Sequence, residues 1–319
     1  MQTPSEIMSL LAVWGVSEMT STEAIQDNIQ LVSLTNGKRV VLKDVGADTE
    51  AVIKRLEFER DVLQHVTKQG LVVALPLLTQ AGKPYHIASG RVYRLSHWIT
   101  NNFVEPRTDD ERTRLYRSYG SAIARFHLAL TTYQDASILS RTWRTDLDNK
   151  LLQQTIPTVL SHLDQALLPA FTAAMGEIKQ DMALAFEGLP EQPIIWDCHS
   201  GNVAVNDLEV TGFIDCDHIS IAPRIHDLAD FLVHLIKWGI GDARAEQTWI
   251  ALFPQVLCGY ESISLLSMQE RNALYYAMVA IPLIFMEFFY KENHIEPIHL
   301  ELRLFHWLVQ RRKVIQSRL

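Results

Sequence analysis

Two short runs hold the residues best suited to chemistry. Ile194-Ile195-Trp196-Asp197-Cys198-His199-Ser200-Gly201-Asn202 offers a carboxylate on a loop, followed by an amide oxygen at Asn202. Gly212-Phe213-Ile214-Asp215-Cys216-Asp217 offers a second carboxylate at the end of a short apolar strand. Such a set suits phosphoryl transfer. Asp197 can orient and deprotonate an attacking hydroxyl, while the Asn202 oxygen and Asp215 hold magnesium against the phosphates of a nucleotide.

The elements that must position these groups can be read upstream. Leu31 to Thr35, the turn Asn36-Gly37 and Lys38 to Lys43 form a hairpin pattern that leaves Lys43 at a strand end. Val52, Leu56, Val62, Leu63 and Val66 recur at helical spacing and put Glu59 on the helix that follows. Pro76 to Pro84 and Arg91 to Leu95 read as further strands around a glycine turn, completing a small antiparallel sheet. From Asp109 onward helical periods dominate, interrupted by Gly188, Pro190 and Pro193 just before the first chemical run. The expected fold class is therefore α+β.

A chain of 319 residues, 48% hydrophobic and 21% charged, can bury a sizeable core and fill two lobes. A formal net charge of −8 gives no support to a nucleic-acid binder. Cys198, Cys216 and Cys258 form no disulfide framework, and Met1 to Val16 lacks a basic flank and a small-residue cleavage site. A cytoplasmic protein is expected. The apolar stretch Ala273 to Tyr290 contains Pro282 and Glu287, and reads as a buried core helix rather than a membrane span.

The order Lys43, Glu59, a connecting strand, Asp197 with Asn202, then Asp215 resembles a bilobal kinase. Asp197-Cys-His-Ser-Gly-Asn202, Gly212-Phe-Ile-Asp215-Cys-Asp217, Pro223-Arg-Ile-His-Asp227-Leu-Ala229 and the helix Tyr119-Gly120 through Ile123-Ala-Arg-Phe-His127 are similar to motifs of one superfamily. It is that of aminoglycoside phosphotransferases and choline kinase, with type II homoserine kinases nearest in flavour. The resemblance runs in order from about residue 25 to 230 and includes Asn28 on the hairpin that would cover the nucleotide.

The resemblance implies a protein-kinase-like fold, with an amino-terminal nucleotide-binding lobe (1–98) and a helical catalytic and substrate-binding lobe (99–319). It implies ATP and Mg2+ as cofactors and a small hydroxyl-bearing acceptor: an amino alcohol, a homoserine-like metabolite or an aminoglycoside-like antibiotic. Asp197 would be the catalytic carboxylate, Asn202 and Asp215 the metal ligands, and Lys43 the phosphate contact held by Glu59. Ser96 to Trp98 would be the hinge meeting adenine, and Asp227 would brace the catalytic loop. Asp217 would assist near the metal or the acceptor. Trp196, Asp230, Trp238, Glu287 and Tyr290 are candidate acceptor residues, because aromatics and acids suit an amine-bearing ligand.

Two departures stand out. Relatives usually carry His-Gly before the catalytic Asp, where this chain has Ile195-Trp196, and Glu23 to Asn28 contains no glycine. A nucleotide-binding regulator with weakened catalysis and a protein Ser/Thr kinase of the same superfamily are the alternatives. A zinc hydrolase is disfavoured, because the cysteines and histidines lack short zinc-ligand spacings and Cys216 alternates with Asp215 and Asp217 along the strand. His127 and His199 are expected to be structural.

Overall fold

The computed structural model describes residues 3–133 and 151–319. Helix α1 (Pro4–Leu11) opens with a capping box in which Thr3 and Glu6 satisfy each other's backbone N–H groups. Strands β1 (Met19–Gln26), β2 (Ile29–Leu34) and β3 (Arg39–Ala47) lead into α2 (Glu50–Lys68), followed by β4 (His86–Ala88) and β5 (Arg91–His97). These five strands form one antiparallel sheet in the order β1-β2-β3-β5-β4.

Alternation along the strands sorts the two faces of this sheet. Val32, Val40, Leu42, Tyr93 and Leu95 pack with Ile7, Leu10 and Leu11 of α1. Lys43 and Arg94, which are register partners on β3 and β5, lie on the opposite face toward α2. The Asn36-Gly37 turn joins β2 to β3, with Gly37 at φ 79°.

One expected strand needs correction, and one strand was missed. Pro76 to Pro84 is not a strand: Pro76 makes an isolated bridge to Ser96, and Thr79 to Lys83 closes as a turn. Pro76 and Pro84 lack the N–H groups that a ladder requires. Strand β1 escaped the sequence pattern because six of its eight residues are exposed, so it shows no apolar period.

The remainder is mainly helical. It contains α3 (Asp109–Thr131), α4 (Ile156–His162), α5 (Leu168–Phe186), α6 (Ile225–Lys237), α7 (Ala243–Glu261), α8 (Met268–Lys291), α9 (Glu296–Gln310) and α10 (Arg312–Gln316). Two small hairpin-like pairs carry the chemistry: β6 (Glu191–Ile194) pairs with β9 (Ser220–Pro223), and β7 (Val203–Asn206) with β8 (Glu209–Phe213). The apolar helix α8 is buried at every position from Ala273 to Leu283, as a helix apolar all round must be inside a core. Helices α3 and α7 touch backbone to backbone, since a Cβ on Gly120 would stand 1.8 Å from the Val256 carbonyl oxygen.

The sheet lobe joins the helical lobe through a backbone seam. Phe213 N donates to Val72 O at 3.0 Å, and Ala74 N donates to Phe213 O at 2.9 Å.

Candidate active site

Asp197 sits on the loop between β6 and β7. The Asn202 side-chain Nδ2 donates to both Asp197 Oδ2 and the Asp197 carbonyl at 3.0 Å, which fixes the carboxylate and turns the Asn202 amide oxygen away from it. His199 Nδ1 accepts from Gly201 N at 3.0 Å, so its proton belongs on Nε2, which lies 3.6 Å from Asp197 Oδ1. The His199 ring stacks on His234 of α6 at 4.4 Å. Burial lowers the affinity of both rings for a proton, and brings His234 down to about 4 with a further contribution from His199.

The loop is anchored from below by Asp227, which is fully buried at the start of α6. Its carboxylate accepts from Ile195 N at 2.8 Å and Trp196 N at 2.9 Å, and pairs with His127 Nε2 at 2.8 Å. His127 reaches the Tyr260 hydroxyl at 2.9 Å through its other nitrogen. Burial works to raise the Asp227 carboxyl, but the hydrogen bond to His127, with the His226 ring nearby adding to it, prevails and holds it at about 2. His127 is therefore a packed structural residue.

Across the cleft, Lys43 Nζ lies 2.7 and 3.0 Å from the two Asp215 carboxylate oxygens and 3.0 Å from Asp217 Oδ2. Asp215 itself has φ 53°, a left-handed conformation that Asp tolerates better than most residues. Glu59 does not hold Lys43. Its carboxylate is buried in a close pair with Arg94, whose other terminal nitrogen lies 3.4 Å from Asp215 Oδ1. Burial pushes the Glu59 carboxyl up to about 7, against the pull of Arg94. Sequence reasoning missed Arg94, although an arginine within the apolar run Val92 to Leu95 signals a buried partner.

The hinge expectation also needs adjustment. Ser96 is buried at the end of β5, and Trp98 gives its N–H to Arg39 O at 3.3 Å while its ring lies under the Arg39 guanidinium. Trp98 therefore does not offer its N–H to a base. Asn28 ties the β1–β2 turn to β3 through a bond from its side chain to Asp44 O.

The candidate acceptor residues separate. Asp217 pairs with Lys43; burial raises its carboxyl, yet Lys43 and Arg94 bring it down to about 2. Glu287 is buried and bonded to Thr155 and Lys291, and Tyr290 packs its ring on His162 at 5.1 Å. Trp238 is 77% exposed at the end of α6. Trp196 lies beside Asp197 and stacks on His226. Asp230, one turn beyond Asp227, is buried with no hydrogen bond or ion pair among the described residues. Burial, then the charges of Asp197 and Asp227, push its carboxyl well above the ordinary range.

A cavity of about 410 Å3 borders Ser200 and Gly201 of the loop, with Asn101, Glu105, Tyr116 and His234 in its walls. A larger one of about 580 Å3 touches no residue of the loop and lies between α3 and the seam at Gly212 and Phe213. Size alone does not locate the acceptor.

Oxygen donors at Asn202 and Asp215 suit a hard cation such as magnesium, which takes few protein ligands beside phosphate oxygens. That Asp215 already gathers the cationic Lys43 and Arg94 shows that positive charge is favoured there. Cys198 and Cys216 are buried, and burial pushes both thiols well above their ordinary range, away from the thiolate form that binds zinc.

A model of the phosphotransferase enzyme family matches residues 22–261. The chain belongs to this family. It is thus an enzyme, a small-molecule phosphotransferase of kinase-like fold. None of the curated proteins compared matches it. Among solved structures, an amicoumacin kinase in complex with AMP-PNP, Ca2+ and Ami superposes with a TM-score of 0.69 at 16% identity, covering 98% of this chain and 94% of that one. A spectinomycin phosphotransferase in complex with ADP and spectinomycin gives 0.69 at 14% identity, covering 100% and 99%. An aminoglycoside phosphotransferase from Alicyclobacillus acidocaldarius subsp. acidocaldarius DSM 446 gives 0.68 at 16%, covering 99% and 96%. At such identities the likeness is one of fold, over the whole chain.

Proposed function

We propose that this phosphotransferase moves the γ-phosphate of ATP to a hydroxyl of a small molecule, with Asp197 as the catalytic carboxylate. The observation that carries this reading is the placement of Asp197. Its carboxylate is oriented by Asn202 and its loop is braced by Asp227, and the contact of Lys43 with Asp215 supports a phosphate site beside it.

In this reading Asp197 accepts the hydrogen bond of the acceptor hydroxyl and takes its proton as the oxygen attacks. Asn202 holds the carboxylate toward that hydroxyl. Lys43 stabilises charge on the phosphate oxygens, from a strand that α1 packs against on its far face. Asn202 and Asp215 would hold Mg2+, which when bound neutralises phosphate charge and orients the transferring group. Glu59 and Arg94 act one step back: Arg94 places a fixed cation beside Asp215.

The acceptor class is an amino alcohol, a homoserine-like metabolite or an aminoglycoside-like antibiotic. Asp230 supports an amine, being a buried carboxyl with no hydrogen-bond partner among the described residues and close enough to feel the charge of Asp197. Trp196 supports a wall beside the reacting hydroxyl. The engaged Glu287 and the exposed Trp238 do not add to this support.

The test is acceptor-dependent release of ADP across a panel of amino alcohols, homoserine and aminoglycosides. Asp197→Ala should abolish it while MgATP still raises the unfolding temperature. No acceptor-dependent release from any of the panel would sink the small-acceptor reading.

A further inference from the structure

Trp196 has φ 74°, in the left-handed region that a bulky side chain normally avoids. The residue immediately precedes Asp197, so whatever holds this turn also aims the carboxylate. Two neighbours on α6 hold it. Asp227 takes the main-chain N–H groups of Ile195 and Trp196. His226 takes the side chain: the imidazole and indole lie parallel, 4.0 Å apart and inclined by 8°.

His226 is an unusual group to find there. It is 3% exposed, and neither ring nitrogen has a hydrogen-bond partner among the described residues. The nearest carboxylate oxygen, Asp227 Oδ1, is 3.9 Å from Nδ1, beyond hydrogen-bond reach. Burying two unsatisfied nitrogens is unfavourable, so the ring contributes through its face. That face meets the strained residue before Asp197.

We propose that His226 is a positioning residue for phosphoryl transfer, stacking on Trp196 to fix the left-handed turn that aims Asp197. The proposal rests on the reading of Asp197 as the catalytic carboxylate. Asp227 alone is not enough in this scheme, because its two bonds fix where the main chain passes but leave the indole free to swing. With the indole clamped, the φ of residue 196 and the direction of the next side chain are set together.

The experiment is ADP release from MgATP, with water as acceptor. His226→Ala should lower kcat by about 10- to 100-fold, the scale of a small misplacement of a reacting group, with KM for MgATP unchanged. His226→Phe keeps a flat face without nitrogens and should retain kcat within about 3-fold. Trp196→Gly removes both the strain and the stack, and His226→Ala should cost nothing further in that background. Unchanged kcat in His226→Ala, equal losses in the alanine and phenylalanine variants, or the same loss with Gly at 196 would each overturn the proposal. If the unaltered protein releases no ADP with water or with any acceptor of the panel, the functional reading fails instead. The stack is then tested by urea unfolding of Trp196→Ala, His226→Ala and the double variant, where losses that simply add would reject it.

Discussion

Lys43 Nζ bridges Asp215 and Asp217, joining a strand of the sheet lobe to the loop after β8 with contacts of 2.7 to 3.0 Å. The expected phosphate contact and an expected metal ligand are therefore direct neighbours. Replacing Lys43 by Met removes the cation shared by both carboxylates. Phosphoryl transfer should fall about 100-fold or more, the usual scale for losing one charge-stabilising group. Steady-state ADP release at saturating acceptor, compared with Mg-nucleotide binding, checks this.

Glu59 and Arg94 form a pair that is almost wholly removed from solvent, at 2% and 6% exposure. Arg94→Met leaves a buried carboxyl with no cation and should destabilise the chain by about 3–5 kcal/mol. Arg94→Met with Glu59→Leu should recover most of that loss, because no buried charge remains. Urea unfolding of the two variants decides it, and equal losses in both would contradict the account.

Acid sensitivity follows from two depressed carboxyls. Asp217 and Asp227 titrate at about 2 in the folded chain, against 3.8 for an unperturbed Asp. Their stabilisation is full above about pH 4 and drains away as pH falls through 2, since the unfolded chain takes up the protons first. Glu59, raised to about 7 from 4.5, runs the other way: its contribution is greatest below pH 4.5 and is lost as pH rises through 7. Unfolding temperatures measured from pH 7 to 2.5 should therefore drop most steeply at the acid end. Glu59→Gln should flatten the curve between pH 4.5 and 7.

Gly120 and Gly259 are the close-approach points of α3 and α7, with no room for a Cβ beside Val256 O or Arg117 O. Gly120→Ala should force the helices apart and cost about 1–3 kcal/mol through overpacking. It should also loosen the His127–Tyr260 contact, which spans the same two helices. A thermal unfolding curve matching the unaltered chain would show that the helices separate without penalty.

The pairing of Asp197 with Asn202 was readable because it is local: five peptide steps separate the two residues, within reach of a side-chain bond. Lys43 was readable from its hairpin. Its partner was not, because choosing between Glu59 and Asp215 depends on the register of β3 against β5, which sets Arg94 opposite Lys43 and lets it claim Glu59. The acceptor set fared differently for a related reason. Helical periodicity shows that Glu287 and Tyr290 share a helix, but not that Thr155 and His162 wait opposite them. Asp230 was legible only as an acid suited to an amine; its burial one turn past Asp227 came from the fold.

The seam at Val72, Ala74 and Phe213 lies only two residues from Asp215. Those main-chain bonds tie the position of Asp215 to the join between sheet and helices, so the carboxylate that meets Lys43 and Arg94 is placed by backbone contact as well as by charge.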